Sequence, residues 1–250
     1  ELNTKLYLGE KNKIYNSKKD LNKEFNKDCD YELKNFNIEK VFNCQRIQNK
    51  SLRTLYFIGD SHNHSLNKAS LEIARKTNSN LFTFSQGGTL FPSIEFSIKG
   101  KVNEYLQKHY INKLIEKEII NKSKSGDIVF ITQRHHFHFG ENWYENPLKI
   151  FLFKDNNKLV NRSSKVKHFN DWLDNLKQFA EELDSKEVNI VIATPTPEFP
   201  LAKFEQCESQ NLQWFNKYSK EKCSYDKSFF DSKNGKYENI ISALESLSRS

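Results

Sequence analysis

Apolar residues fall into two alternating patterns along this chain: short, mainly apolar runs, and longer stretches in which they return every three or four positions. Leu55-Tyr56-Phe57-Ile58 is a run that stops at Gly59-Asp60, and residues 81–84 form another that stops at Ser85-Gln86-Gly87-Gly88. Residues 128–132 follow the turn pair Gly126-Asp127, and residues 188–193 end at Thr194-Pro195-Thr196-Pro197. Short apolar runs bounded by turn residues predict buried strands. Between them the helical period recurs. Leu66, Ala69, Ile73 and Ala74 share one helix face, and Val102, Tyr105, Leu106, Leu114 and Ile115 supply the stripe of a long helix over residues 102–122. Phe169, Trp172, Leu173, Leu176, Phe179, Ala180 and Leu183 show the cleanest helical periodicity, and Tyr237, Ile240, Ile241, Leu244 and Leu247 predict one more amphipathic helix. Strands alternating with helices predict an α/β fold, a parallel sheet held between two helical layers in a three-layer sandwich.

At 250 residues the chain fits one such domain with a substantial core, expected over residues 51–250. Residues 1–50 are polar, aperiodic and rich in Asn and Lys. Tyr31, Phe36, Ile38, Val41 and Phe42 are their few apolar anchors, so they read as a lead-in lying on the domain or linking it to something upstream. Lys and Arg number 39 against 32 Asp and Glu, a formal charge of +7. The basic residues are scattered among Asn and acidic residues rather than gathered on one face. That argues against a nucleic-acid groove and leaves a mild pull toward anionic glycans or a membrane surface. No stretch approaches the roughly 20 apolar residues of a membrane span. With Glu1 rather than Met at its start, the chain reads as a soluble excerpt of a longer protein.

The cysteines form two locally spaced couples, Cys29 with Cys44 and Cys207 with Cys223. Neither has the Cys-x-x-Cys spacing of a zinc knuckle or redox site, so disulfides and an oxidising compartment are expected. Local pairing is favoured among the possible connectivities because each couple lies in an irregular polar segment that a loop staple would order.

The candidate chemistry begins at the end of the first strand. A buried strand that breaks at Gly59-Asp60-Ser61-His62 delivers a serine hydroxyl to the carboxyl edge of the sheet, where α/β folds keep their active sites. Ser61 is therefore a candidate nucleophile. The alternative is an ordinary strand-to-helix turn, with Asp60 or Ser61 capping a helix that begins near Leu66.

The ordered set of Gly59-Asp60-Ser61-His62 after the first strand, Gln133-Arg134 at the end of the third, Thr194-Pro195-Thr196-Pro197 after the fourth and the flanking cysteines resembles the SGNH (GDSL-like) hydrolase superfamily. It is most similar to the SGNH domain fused to membrane acyltransferases of family three, which O-acylate bacterial surface glycans. The resemblance runs from about Cys29 to the end of the chain. It implies a flavodoxin-like sheet, Ser61 as nucleophile, and an oxyanion hole made from the Ser61 N–H, Gly88 in the family's glycine block, and a donor at the end of the third strand. A simple turn is the alternative for Gly87-Gly88, and beside Ser61 the candidates for support are Asp60 and His62, for which local loop hydrogen bonding is the alternative. At the end of the third strand the family usually places an Asn. This chain has Gln133 and Arg134 instead, with Arg134 preferred. The family's base comes from an Asp-x-x-His motif, which occurs nowhere in this chain. The expectation is that the last strand and the catalytic loop lie beyond Ser250, a degenerate domain being the alternative.

The run Arg134-His135-His136-Phe137-His138 invites a metal reading, with His136 and His138 pointing to one side, yet no acidic or cysteine partner stands at a suitable spacing. No metal or cofactor is expected. The aromatic stretches 139–144 and 211–215 read as glycan-stacking rims or as packing anchors. The resemblance implies a periplasmic domain that works with a membrane acyltransferase domain on the same polypeptide, the partner that delivers its acyl donor and glycan acceptor. Acyl transfer, in the simplest case of acetyl, to lipopolysaccharide or another surface polysaccharide is the expected function. A secreted carbohydrate O-acetylesterase and a non-catalytic glycan-binding domain remain the alternatives.

Overall fold

The computed structural model of the chain describes residues 35–44, 47, 53–94, 96–98, 102–135, 138, 151–155, 158–161, 165–195 and 238–249. Four strands, β1 (Thr54–Gly59), β2 (Asn80–Ser85), β4 (Ile128–Thr132) and β7 (Asn189–Ile192), pair in parallel in the order β2-β1-β4-β7. This is the flavodoxin-like order expected for the fold, in which the chain leaves β1 to one side for β2 and to the other for β4. The helices are α1 (Ile38–Asn43), α2 (Ser61–Ser65), α3 (Asn67–Lys76), α4 (Val102–Lys122), α5 (Lys165–Asp184) and α6 (Glu238–Leu247).

Alternate residues of β1 explain the layers. Leu55 and Phe57 face a smaller core with Leu71, Ala74 and Leu81, whereas Tyr56 and Ile58 face the larger core with Ile111, Ile115 and Ile119 of α4 and Trp172, Leu176, Phe179 and Leu183 of α5. A parallel strand covered on both faces has no polar side to present, which is why its sequence is continuously apolar. Ile240 and Leu244 of α6 join the larger core, as do Val41 and Phe42 of α1, and Phe42 stacks on Phe82 with ring centroids 4.3 Å apart. The core therefore draws on chain ahead of residue 51.

Three features depart from the expectations. The helix after β1 starts at Ser61, not near Leu66. Leu66 breaks it into α2 and α3, and the buried face of α3 is Ser70, Leu71 and Ala74, with Leu66 at 37% and Ile73 at 39% exposure. The buried stripe of α4 centres on Ile111, Ile115 and Ile119 rather than on Leu114, which is half-buried. A second, antiparallel sheet, β3 (Phe96–Ile98), β5 (Phe151–Asp155) and β6 (Lys158–Asn161) in the order β3-β5-β6, was not anticipated.

Buried polar groups fasten the sheet's ends. Asp127 accepts the Thr54 N–H at 2.6 Å and the Lys124 N–H at 3.0 Å, tying the starts of β1 and β4 together. At the carboxyl edge, Gly59 pairs with both Ser85 and Thr132, and a Cβ built on it would lie 1.8 Å from the Thr132 carbonyl oxygen. Its φ of +153° adds a backbone cost for any side chain. Only glycine lets three strand ends approach this closely where the chain turns toward Ser61.

Candidate active site

Asp60 and Ser61 divide the work at the turn after β1. Asp60 is the N-cap of α2: its Oδ1 accepts the His62 N–H at 2.8 Å, and Ser65 Oγ donates to the Ser61 carbonyl at 3.2 Å. Capping falls to Asp60, so Ser61 is not consumed by it. Ser61 is exposed, and neither its Oγ nor its N–H makes a hydrogen bond among the described residues. Two residues on, Asn63 is buried, and its Nδ2 lies 3.0 Å from the Phe57 carbonyl, 3.1 Å from the Phe84 carbonyl and 2.9 Å from Ser85 Oγ. The side chain stitches the nucleophile's helix to the ends of β1 and β2.

Asp60 gathers more than its cap. It is 1% exposed, and its Oδ2 accepts the Arg134 N–H at 2.8 Å and a hydrogen bond from His138 Nε2 at 2.9 Å. Burial by itself would raise the carboxyl's pKa. The His138 hydrogen bond and charge, then the N–H groups of Arg134 and His62, outweigh that effect and hold it below the ordinary carboxylate range. Hydrogen bonds to a charged acceptor are each worth about 1.5–3 kcal/mol, enough together to keep a desolvated carboxylate ionised. The His62 imidazole stands 3.7 Å from Asp60 Oδ1, and His64 is exposed with Nδ1 3.4 Å from Asn67 Nδ2.

The glycine block forms a turn. Thr89 donates from N at 3.3 Å and from Oγ1 at 2.8 Å to the Gln86 carbonyl, and Gly88 occupies the third position with φ +76°, where a positive φ favours glycine. The Gln86 N–H holds the Gly59 carbonyl at 2.9 Å, so the turn begins beside the nucleophile's strand. The Gly88 N–H makes no hydrogen bond among the described residues. The chain beyond is pinned from several sides. Asn112 Nδ2 donates to the Leu90 carbonyl at 2.8 Å, Trp172 Nε1 to the Phe91 carbonyl at 3.3 Å, and the Ser93 N–H to Glu116 Oε1 at 2.6 Å. Burial pushes the Glu116 carboxyl above its ordinary value despite the opposing charge of Lys113, whose Nζ lies 2.8 Å from Oε2.

The two candidates at the end of β4 separate. Gln133 is 1% exposed and its Oε1 accepts the Phe91 N–H at 2.8 Å, a role in holding the loop after the glycine turn. Arg134 is half-buried, with its N–H on Asp60. Ser61 and Arg134 thus follow the carboxyl ends of the neighbouring strands β1 and β4, at the point where the topology reverses. Among the described residues no group of three or more His, Cys, Asp or Glu side chains is placed to hold a metal ion.

His138 is the functional candidate that the sequence did not single out for this role. Its place in a His-rich run suggested a metal, and no local pattern signals a partner 78 residues away. Asn63 was likewise missed, its only sequence cue being its position two residues after Ser61. Cys44 is disulfide-bonded. Cys29, Cys207 and Cys223, His136 and the aromatic stretches 139–144 and 211–215 lie outside the described residues. No described helix is long and apolar enough to cross a membrane.

No curated protein and no solved structure matches the chain. A family model does, over residues 28–250, a span of this chain that includes the turn at Ser61, the glycine turn and the end of β4. The chain belongs to the family of SGNH domains described as fused to AT3 domains.

Proposed function

We propose that this domain carries out O-acyl transfer to a bacterial surface polysaccharide or lipopolysaccharide on the extracytoplasmic side of the membrane, with Ser61 as the acyl carrier. A membrane acyltransferase domain on the same polypeptide is its partner and delivers acyl donor and glycan acceptor. The observation that supports this most is the exposed Ser61 at the sheet's switch point, with Oγ and N–H unengaged among the described residues while its neighbours Asp60 and Asn63 fix the turn.

Ser61 Oγ attacks the donor's acyl carbon, and its proton passes to a general base and then to the leaving group as the donor bond breaks. A sugar hydroxyl then attacks the acyl-serine, gives up its proton to the same base, and Oγ leaves and is reprotonated. Water competes as acceptor and gives hydrolysis. The oxyanion is held by the N–H groups of Ser61 and Gly88 with the Arg134 side chain as third donor. Trapping with p-nitrophenyl acetate tests the reading in the full-length protein. Acetyl found on Ser61 carries it, and steady turnover with acetyl on no serine overturns it.

The third donor has its own test. Arg134→Ala is expected to lower kcat by about 100-fold to 1,000-fold, the usual cost of one preorganised oxyanion donor, with little change in thermal midpoint. Gln133→Ala should instead lower stability, because the Phe91 N–H it holds would be left buried and unpaired. Full kcat in Arg134→Ala and a large loss in Gln133→Ala would move the role to Gln133.

An extracytoplasmic site makes a prediction about the cysteines. Mass spectrometry of digested, unreduced protein should find Cys29 joined to Cys44 and Cys207 joined to Cys223. Free thiols throughout, or bound zinc, would overturn the compartment.

A further inference from the structure

Asp60 joins three parts of the chain through one carboxylate. Oδ1 caps the nucleophile's helix through the His62 N–H at 2.8 Å, while Oδ2 takes the Arg134 N–H at 2.8 Å from the end of β4 and His138 Nε2 at 2.9 Å from the segment that follows. Asp60 and His138 are 1% and 3% exposed. An ionised carboxylate only accepts hydrogen bonds, so Nε2 carries the proton. Among the described residues no hydrogen bond joins this imidazole to Ser61 Oγ.

We infer that His138 is a positioning residue for Ser61, acting through Asp60: with Oδ2 held by His138 and Arg134, Oδ1 stays on the His62 N–H and the Ser61 N–H is left unbonded for the oxyanion. A carboxylate is free to turn about its last torsion. Without His138, Oδ2 keeps a single donor from β4, and the carboxylate can rotate toward the N–H of Ser61, one residue before the N–H it now caps. The donor that the reaction needs would then be occupied, and the turn that aims Oγ would lose its link to the segment beyond β4. This inference rests on Ser61 being the nucleophile.

The test measures the rate at which a fluorophosphonate labels Ser61 in the full-length protein, with kcat and KM for p-nitrophenyl acetate and the thermal midpoint recorded alongside. His138→Ala is expected to slow labelling and lower kcat by about tenfold to 100-fold, the scale of a small misplacement of reacting groups, with KM unchanged. His138→Gln keeps an N–H within reach of the same carboxylate oxygen and should recover most of both rates. Labelling of His138→Ala at the wild-type rate overturns the inference and leaves Ser61 in place as nucleophile. Should His138→Ala not fold, His138→Gln decides: near wild-type labelling supports positioning, and loss in a folded protein means that the imidazole's own chemistry is required. A wild-type protein that is not labelled at all removes the reading of Ser61, and this inference falls with it.

Discussion

Ser61→Ala is expected to bring the release of p-nitrophenol from p-nitrophenyl acetate down to the solution background in the full-length protein, while leaving the fold unchanged. The side chain lost is exposed and makes no hydrogen bond among the described residues, so its removal opens no cavity and strands no partner. The capping of α2 stays with Asp60, and the stitch between β1 and β2 stays with Asn63. Removing the nucleophile of a serine hydrolase typically costs about a million-fold in turnover, because the other groups have nothing left to activate. A wild-type thermal midpoint together with lost activity is the informative combination. Wild-type turnover in the variant would remove Ser61 from the mechanism and, with it, the acyl-carrier reading.

Gly59→Ala tests the scaffold under that serine and is expected to destabilise the fold strongly. The new Cβ would stand 1.8 Å from the Thr132 carbonyl oxygen and 2.8 Å from its carbon, with the Asn63 Cβ at 3.3 Å on another side. The obstacle is backbone of β4, which is itself hydrogen-bonded between β1 and β7 and cannot swing aside as a flexible side chain would. Destabilisation of about 4 kcal/mol or more is expected, a drop of roughly 8–16 °C in thermal midpoint for a domain of this size. Any folded remainder should also lose activity, because the strand must shift where it delivers Ser61. A thermal midpoint equal to wild type would mean that β1 and β4 do not approach each other here as described.

Much of this architecture can be read from local pattern. The strand Ile128–Thr132 is the apolar run after Gly126-Asp127, and the helix Lys165–Asp184 carries the strong period of Trp172, Leu176, Phe179 and Leu183, because burial on a sheet or along a helix imposes those repeats directly. The break at Gly59-Asp60-Ser61 was legible for the same reason, as turn chemistry is local. What needed the folded chain was everything set by which surfaces meet. Leu66 and Ile73 share a face by spacing yet stay exposed, since the helix is rotated to set Leu71 and Ala74 against Leu55, Phe57 and Leu81. The pairing of Phe96–Ile98 with Phe151–Asp155 joins short runs far apart in sequence, which carry no mark of their partners. His138 is the sharpest case. In sequence it stands between Phe137 and Phe139, after His135 and His136, and its partner is Asp60, brought beside it only because β1 and β4 are adjacent and parallel. Period and turn residues are short-range properties of a chain, and they determined the parallel strands, the long helices and the candidate serine. Strand order is a property of the whole packed core, and it alone decided which side chains gather around that serine.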